Sequence, residues 1–363
     1  MTGPAAAQRA RFRRQLLGWF ERHGRQDLPW QHPRTAYRVW VSEVMLQQTR
    51  VETVLPYFQR FMLRFPDVGT LASASLDQVL GLWSGLGYYA RARNLHRSAG
   101  EIVAQHEGEF PDDPALLERL PGIGRSTAAA IVALAYERPA AILDGNVKRV
   151  LARVFGVEGW PGNPAIAGRL WDLSESLVPR KRVADYTQAL MDLGATCCTR
   201  TRPDCGACPF TGDCKAARDG LTSRLPTPRP ARVRPERSGD FLIVRDRHGR
   251  VLLERRPPRG VWGGLWTLPE LPAGTTAQMW CRSSLGETPR ELLQWPELRH
   301  EFTHFSLVIR PMLLRVDAPS GRCMEAPDRL WYKPGTPAPG GMPAPVSALL
   351  QGLQRIHEPE VAR

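Results

Sequence analysis

The sequence predicts two folded regions of different class: an all-α region over residues 1 to about 222, then an α+β domain over 239–363. Three observations predict it. Apolar residues recur at helical spacing in the first region, as in Phe12, Leu16 and Phe20, or Val147, Val150, Leu151, Val154 and Phe155. Residues 223–238 then interleave Pro226, Pro228, Pro230 and Pro235 with Arg224, Arg229, Arg232, Arg234 and Arg237, the composition of an extended basic linker. Beyond it come short apolar runs bounded by turns, at 240–244, 251–253 and 305–309.

The 363 residues are enough for two or three domains with buried cores. Forty-nine Lys and Arg against thirty-six Asp and Glu give a net charge of +13, the balance of a protein that meets nucleic acid or an anionic surface. No apolar run approaches the roughly 20 residues that cross a bilayer, and residues 16–20 are too short for a signal sequence. The expectation is a cytoplasmic, nucleoid-associated monomer with no membrane partner. Seven cysteines, an odd number with four clustered, fit a reducing compartment better than a disulfide framework.

Those four cysteines, Cys198, Cys205, Cys208 and Cys214, fall within seventeen residues in the pattern C-x6-C-x2-C-x5-C. So short a loop cannot pair them all as disulfides without strain, whereas four soft sulfur donors suit a metal centre. Zinc sites with four cysteines usually come as two C-x2-C pairs, and here there is one such pair. The spacing resembles the 4Fe-4S cluster loop of the endonuclease III superfamily; zinc and a redox disulfide are the alternatives. Cys197 falls outside the spacing and reads as a packed thiol, while Cys281 and Cys323 lie far away and read as structural. Arg200 and Arg202, between the first two ligands, form a basic loop that can meet phosphates.

Asp113 can cap a helix with Pro114 at its first position, running on through residues 115–120. Residues 121–124, Pro-Gly-Ile-Gly, then turn sharply into a second helix over 125–134. The first turn of that helix offers free backbone amides and a positive dipole end, and Gly122 and Gly124 let the backbone approach a phosphate. Such a hairpin clamps DNA without reading its sequence. A purely structural hairpin is the alternative.

Two carboxylates sit in opposite surroundings. Glu43 has Val39, Trp40 and Leu46 as its helical neighbours, and so apolar a face raises a carboxyl pKa, leaving a proton donor at neutral pH. Asp144 follows an apolar run and opens the helix that begins at Gly145, where amides and the helix dipole favour the anion. An acid facing water and a plain N-cap are the respective structural alternatives. A donor and an anion together are what cleavage of a glycosidic bond needs.

Residues 42–49 (SEVMLQQT), 120–127 (LPGIGRST), 142–150 (ILDGNVKRV) and the cysteine loop, in this order, resemble the MutY-type adenine DNA glycosylases of the helix-hairpin-helix superfamily. The resemblance covers essentially the whole chain. It implies a bilobed helical fold, with a six-helix barrel over about 30–135, a cluster lobe over 1–29 and 136–222, and the active site between them. The implied substrate is adenine opposite 8-oxoguanine or guanine in duplex DNA, extruded from the stack. Glu43 would protonate the leaving base and Asp144 would stabilise the sugar cation while water attacks. Gln48 and Tyr88 match positions that fill or wedge the duplex; Leu28, Trp30 and Gln188 match the adenine pocket. Ser126 stands where the strand-cleaving branch has a Schiff-base lysine, and a hydroxyl forms no imine, so a monofunctional enzyme is expected. Lys148 reads as a phosphate contact. The second domain resembles a Nudix fold without the acidic helix that holds magnesium; residues 290–292 do not continue into one. Phe302, Thr303 and His304 match the loop that touches 8-oxoguanine, with threonine where the family has serine.

Overall fold

Helix ends written into the sequence organise the first region. In the computed structural model, which describes residues 4–230, 233–317 and 326–355, Thr35 caps α2 (Ala36–Leu46) by accepting from the Arg38 amide. Asp113 caps α7 (Pro114–Leu117), Asp144 caps α9 (Gly145–Phe155) and Asn163 caps α10 (Pro164–Leu177). Gly156 closes α9 in the left-handed conformation. The remaining helices are α1 (Ala6–His23), α3 (Val51–Arg64), α4 (Val68–Ser73), α5 (Leu76–Leu82), α6 (Ala90–His106), α8 (Arg125–Ala135), α11 (Val183–Asp192) and α12 (Lys215–Arg218).

The chain divides into two compact units, 1–73 with 94–231 and 74–93 with 232–363. In the first, α2 and α8 pack together and α11 packs on both α8 and α1. Both α2 and α8 are apolar on nearly every face, and their residues are buried accordingly, Val39, Trp40, Val41, Val44 and Met45 against Ala128 to Leu134. A π-helical turn, Leu193–Cys197, follows α11. Its Gly194 lies so close to α9 that a Cβ there would stand 2.6 Å from the Asn146 Cβ, so glycine is required for the approach. This packing brings the end of α11, the first turn of α9 and the cysteine loop together.

In the second unit the strands run β3 (Trp266–Thr267), β2 (Val251–Arg255), β1 (Glu236–Arg245), β6 (Ser306–Arg315), β4 (Glu291–Gln294) across the sheet. β5 (Leu298–Glu301) also pairs with β6, and β7 (Arg329–Tyr332) with β2. β1 and β6 are parallel through ten residue pairs from Glu236↔Ser306, and the other pairings are antiparallel. Leu242, Val244, Leu252, Met312 and Leu314 on one face meet Ala277, Trp280, Cys281 and Leu285 of α13 (Ala277–Leu285). α14 (Ala344–Arg355) completes the unit.

Two boundaries differ from the sequence reading. The helix expected to continue through 115–120 ends at Leu117, because the chain is already turning into the hairpin. The linker read as 223–238 is strand from Glu236, since pairing with β6 extends β1 into the basic stretch. Its earlier part is pinned: Leu225 is buried and its carbonyl accepts from Arg153. By packing, residues 74–93, read as part of the helical barrel, group with residues 232–363 through contacts far away in sequence. Cys323 lies outside the described residues. No described helix is long and apolar enough to cross a membrane.

Candidate active site

A pocket of about 690 Å³ in the first unit collects residues from five stretches of chain. Leu28 and Trp30 come from the loop after α1, Glu43 from α2, Ser126 from the first turn of α8, Asp144 from the cap of α9, and Gln188 from α11. Thus both carboxylates and the three expected base-pocket residues line one cavity. Leu28, Trp30 and Gln188 are buried around it.

The two acids differ electrostatically. Burial, and then the nearby Asp144 charge, push Glu43 up to about 8, so it carries a proton at neutral pH. Asp144 accepts from the Val147 amide at 2.7 Å and from the Asn146 side-chain amide at 3.2 Å, and the Arg149 guanidinium adds a favourable charge. These three influences pull its pKa down, as its place at a helix start predicts. Burial outweighs them, however, and the net direction is upward, a correction to the sequence reading. Asp144, unlike Glu43, nonetheless keeps hydrogen-bond donors and a cation beside it.

The geometry extends from Asp144 toward the thiols. The Asn146 side-chain oxygen accepts from Arg149 Nη2 at 2.8 Å, and Arg149 donates on to the Gly194 and Cys198 carbonyls at 2.6 and 2.8 Å. Behind Gln188 stands Asp192, fully buried. It accepts from Gln188 Nε2 at 2.9 Å and from the Arg25 amide and guanidinium. With its amide nitrogen so engaged, Gln188 has its oxygen left for the pocket. Ser126 Oγ accepts from the Leu143 amide at 3.0 Å, steadying the segment that carries Asp144.

Cys198, Cys205, Cys208 and Cys214 line a second, apolar pocket with Val150, Arg153, Leu193 and Phe210. All six described cysteines are free thiols. The Arg153 guanidinium, buried to 2 % exposure, lies 3.3 Å from the Cys198 sulfur and donates to the Thr199, Arg200 and Leu225 carbonyls. The Cys197 thiol donates to the Asp204 carbonyl at 3.2 Å, and its sulfur also shares a hydrogen bond with Cys208. Among the described residues, no group of three or more His, Cys, Asp or Glu converges on one ion position.

Other expected contacts are placed around this centre. Gly122 has φ +78° and a Cβ there would meet Asn94 at 2.8 Å, whereas a Cβ at Gly124 would meet nothing, leaving the start of α8 open to an approaching group. Gln48 is exposed with φ 61° just beyond α2, outside the pocket lining. Lys148 lines a separate cationic cavity of about 700 Å³ with Arg149, Arg153, Arg200 and Arg229. Arg200 lines both cavities, and Arg202 is exposed away from either. In the second unit Tyr88 is 47 % exposed at φ 50°. Phe302, Thr303 and His304 form the β5–β6 hairpin loop; Phe302 stacks on Phe305 at 4.5 Å and stands edge-on to His300 at 4.7 Å, while Thr303 and His304 are exposed. α13 carries no Asp or Glu, and Glu291 lies in β4, paired with Arg315.

Arg25, Asn146, Arg149, Arg153 and Asp192 were not singled out by the sequence reading. Two left a signal: Arg153 is a charge on the apolar stripe of α9, and Asp192 an acid one turn after Gln188.

Residues 41–176 match the HhH-GPD superfamily of base excision DNA repair proteins, and residues 240–352 match the NUDIX domain. An adenine DNA glycosylase of Buchnera aphidicola subsp. Acyrthosiphon pisum is 36 % identical over 346 residues, covering 95 % of this chain and 98 % of its own. This chain belongs to the adenine DNA glycosylase family. The Rattus norvegicus adenine DNA glycosylase is 35 % identical, over 88 % of this chain and 73 % of its own length. Among solved structures, a thermostable thymine-DNA glycosylase superposes with a TM-score of 0.52 at 26 % identity, covering 58 % of this chain and 97 % of that one. Endonuclease III in a non-covalent DNA complex, at 21 % identity, shares the fold over 60 % of this chain, with a TM-score of 0.51. The enzyme therefore joins a helical glycosylase domain to a Nudix-like domain within one family architecture.

Proposed function

We propose that this enzyme hydrolyses the N-glycosidic bond of adenine mispaired with 8-oxoguanine or guanine in duplex DNA, leaving the strand intact. The observation that carries the reading is the pairing, in one pocket, of a protonated Glu43 with a hydrogen-bonded Asp144. The adenine is extruded into this pocket. Leu28 and Trp30 pack on the base and the Gln188 oxygen accepts from its amine. Glu43 protonates the ring, at N7, so that the base departs neutral. Asp144 faces the cationic sugar until water adds. Ser126 provides no amine for an imine, and Lys148 lies in the neighbouring cavity.

Duplex binding rests on the Gly122–Gly124 turn at the start of α8 and on Lys148, Arg200 and Arg202. Gln48 and Tyr88 enter the duplex beside the mispair, and residues 302–304 read the base opposite adenine. Cys198, Cys205, Cys208 and Cys214 hold a 4Fe-4S cluster, which when bound cross-links the loop carrying Arg200 and Arg202. Two features of the donor set support this: four soft sulfur donors line one apolar pocket, and the Arg153 cation faces one of the sulfurs.

Single-turnover excision on A·8-oxoguanine, A·G and thymine glycol duplexes, with and without alkali, tests the reading. Adenine release from the first two, with strand breaks appearing after alkali alone, is expected. Excision of thymine glycol, or breakage without alkali, would overturn it.

A further inference from the structure

Tyr88 is carried by a stretch of chain that leaves the first unit after Ser73, rejoins it at Asn94, and in between packs as part of the second unit. The packing is specific. Asp77 of α5 pairs with Arg255 of β2, both side chains being more than two-thirds buried, and the Arg255 guanidinium lies 4.8 Å from the Trp266 ring centroid. The Tyr89 hydroxyl donates to the Met342 carbonyl, and Arg93 Nη1 donates to the Gly263 carbonyl at 2.7 Å. Residues 340–342 form a strap pressed against α5. A Cβ at Gly341 would stand 2.8 Å from the Leu80 Cβ and 2.9 Å from Leu265 Cδ2, and one at Gly340 would stand 3.0 Å from Asp77 Oδ1. Leu80, Trp83, Leu265, Trp266 and Met342 are all buried there.

The tip of the same stretch is stiffened from within. Trp83 Nε1 donates to the Gly87 carbonyl at 3.0 Å, and Arg91 donates to the Leu86 and Gly87 carbonyls. The Arg91 guanidinium lies 5.2 Å from the Tyr88 ring and 5.5 Å from the Trp83 ring. Tyr88 therefore projects from a braced loop whose base is bolted to β2, to the Gly263 carbonyl and to the strap.

We propose that Asp77, Arg255 and the 340–342 strap are positioning residues through which the lesion-reading domain places the Tyr88 wedge. Contact of residues 302–304 with the opposing base and unstacking by Tyr88 then occur on one body, and whichever duplex fits the reader better also receives the better-placed wedge. The inference rests on the roles proposed above for Tyr88 and for residues 302–304.

The test uses the full-length enzyme with its cluster, as Asp77→Arg, Arg255→Asp and the double exchange. Single-turnover excision from A·8-oxoguanine is measured beside the fluorescence of 2-aminopurine next to the mispair, which brightens when a wedge unstacks it. Each single variant is expected to lose about fivefold in rate, the factor that one partly buried ion pair commands, and to lose the fluorescence rise. The double exchange recovers both, and Asp77→Arg adds no loss to Tyr88→Ala. Parental rate and fluorescence in both singles, or a double exchange as impaired as they are, would overturn the proposal. Thr303→Ala and His304→Ala keep the two readings apart. An unchanged 8-oxoguanine-to-guanine rate ratio in both would refute the lesion-reader reading itself. A collapsed ratio there, with parental behaviour at Asp77 and Arg255, refutes the coupling alone.

Discussion

Replacing Glu43 with glutamine keeps the side chain's shape and removes the proton the site would deliver. General acid catalysis contributes roughly 10²- to 10⁴-fold, so single-turnover release of adenine at pH 7 is expected to fall at least about a hundredfold, with duplex affinity retained. The same change acts on stability with the opposite sign. The folded Glu43 carboxyl has its pKa at about 8 against an ordinary 4.5, so at pH 7 the unfolded chain is ionised there and the folded protein is not. Folding must then take up a proton, and at roughly 1.4 kcal/mol per pH unit this costs about 3 kcal/mol at pH 7. Glutamine avoids the cost. Below pH 4.5 both states are protonated and the variant gains nothing; the gain grows as pH rises and levels off above about 8. Thermal unfolding of the cluster-containing protein should thus show a rise in Tm of about 5 °C or more at pH 8 and little change at pH 4.5. Excision by the parent should decline as pH passes about 8, as Glu43 loses its proton. A variant that excises at the parental rate, or whose Tm difference is the same at both pH values, would refute a desolvated, protonated Glu43.

Asp144→Asn keeps an acceptor for the Val147 amide, so the α9 cap survives; excision is expected to fall by about 10²-fold or more through loss of the anion, and parental rates would remove Asp144 from the mechanism. Ser126→Lys puts an amine in the pocket, and borohydride should then trap a covalent enzyme–DNA adduct that the parent does not form. Failure to trap it would show that the Ser126 side chain does not reach the sugar. Arg153→Met removes a buried cation that donates to three carbonyls and faces the Cys198 sulfur. It should cost about 3 kcal/mol or more, by leaving those groups unpaired, and bleach the visible absorption of the cluster faster on heating; unchanged unfolding and bleaching would dismiss that role. Gly122→Ala meets both φ +78° and the Asn94 Cβ, and should weaken duplex binding while destabilising the hairpin by about 1–3 kcal/mol, measured by titration and melting.

Local chemistry explains what could be read early. Asp144 caps its helix because an aspartate before Gly145 can accept from the third amide on, and α8 is buried because seven apolar residues in succession leave it no wet face. Glu43 announces its raised pKa through its own helical neighbours. What escaped depends on partners remote in sequence. Asp192 is tolerated at zero exposure because Arg25 reaches it from 167 residues away, and Arg153 because carbonyls 46 to 72 residues on converge on it. The net upward direction at Asp144 also needed the pocket, since burial is a property of everything that surrounds the group.

The sequence by itself determined the helical and mixed regions, the two acids, the four thiols and the hairpin, because each is a pattern of side chains within one or two turns of chain. Tertiary structure alone decided that the acids share a cavity with Leu28, Trp30 and Gln188, and that residues 74–93 pack with the second unit. Spacing along a chain fixes which face a residue occupies; which other face it meets is settled when the apolar surfaces close, and buried charges then find whatever partners that closure supplies.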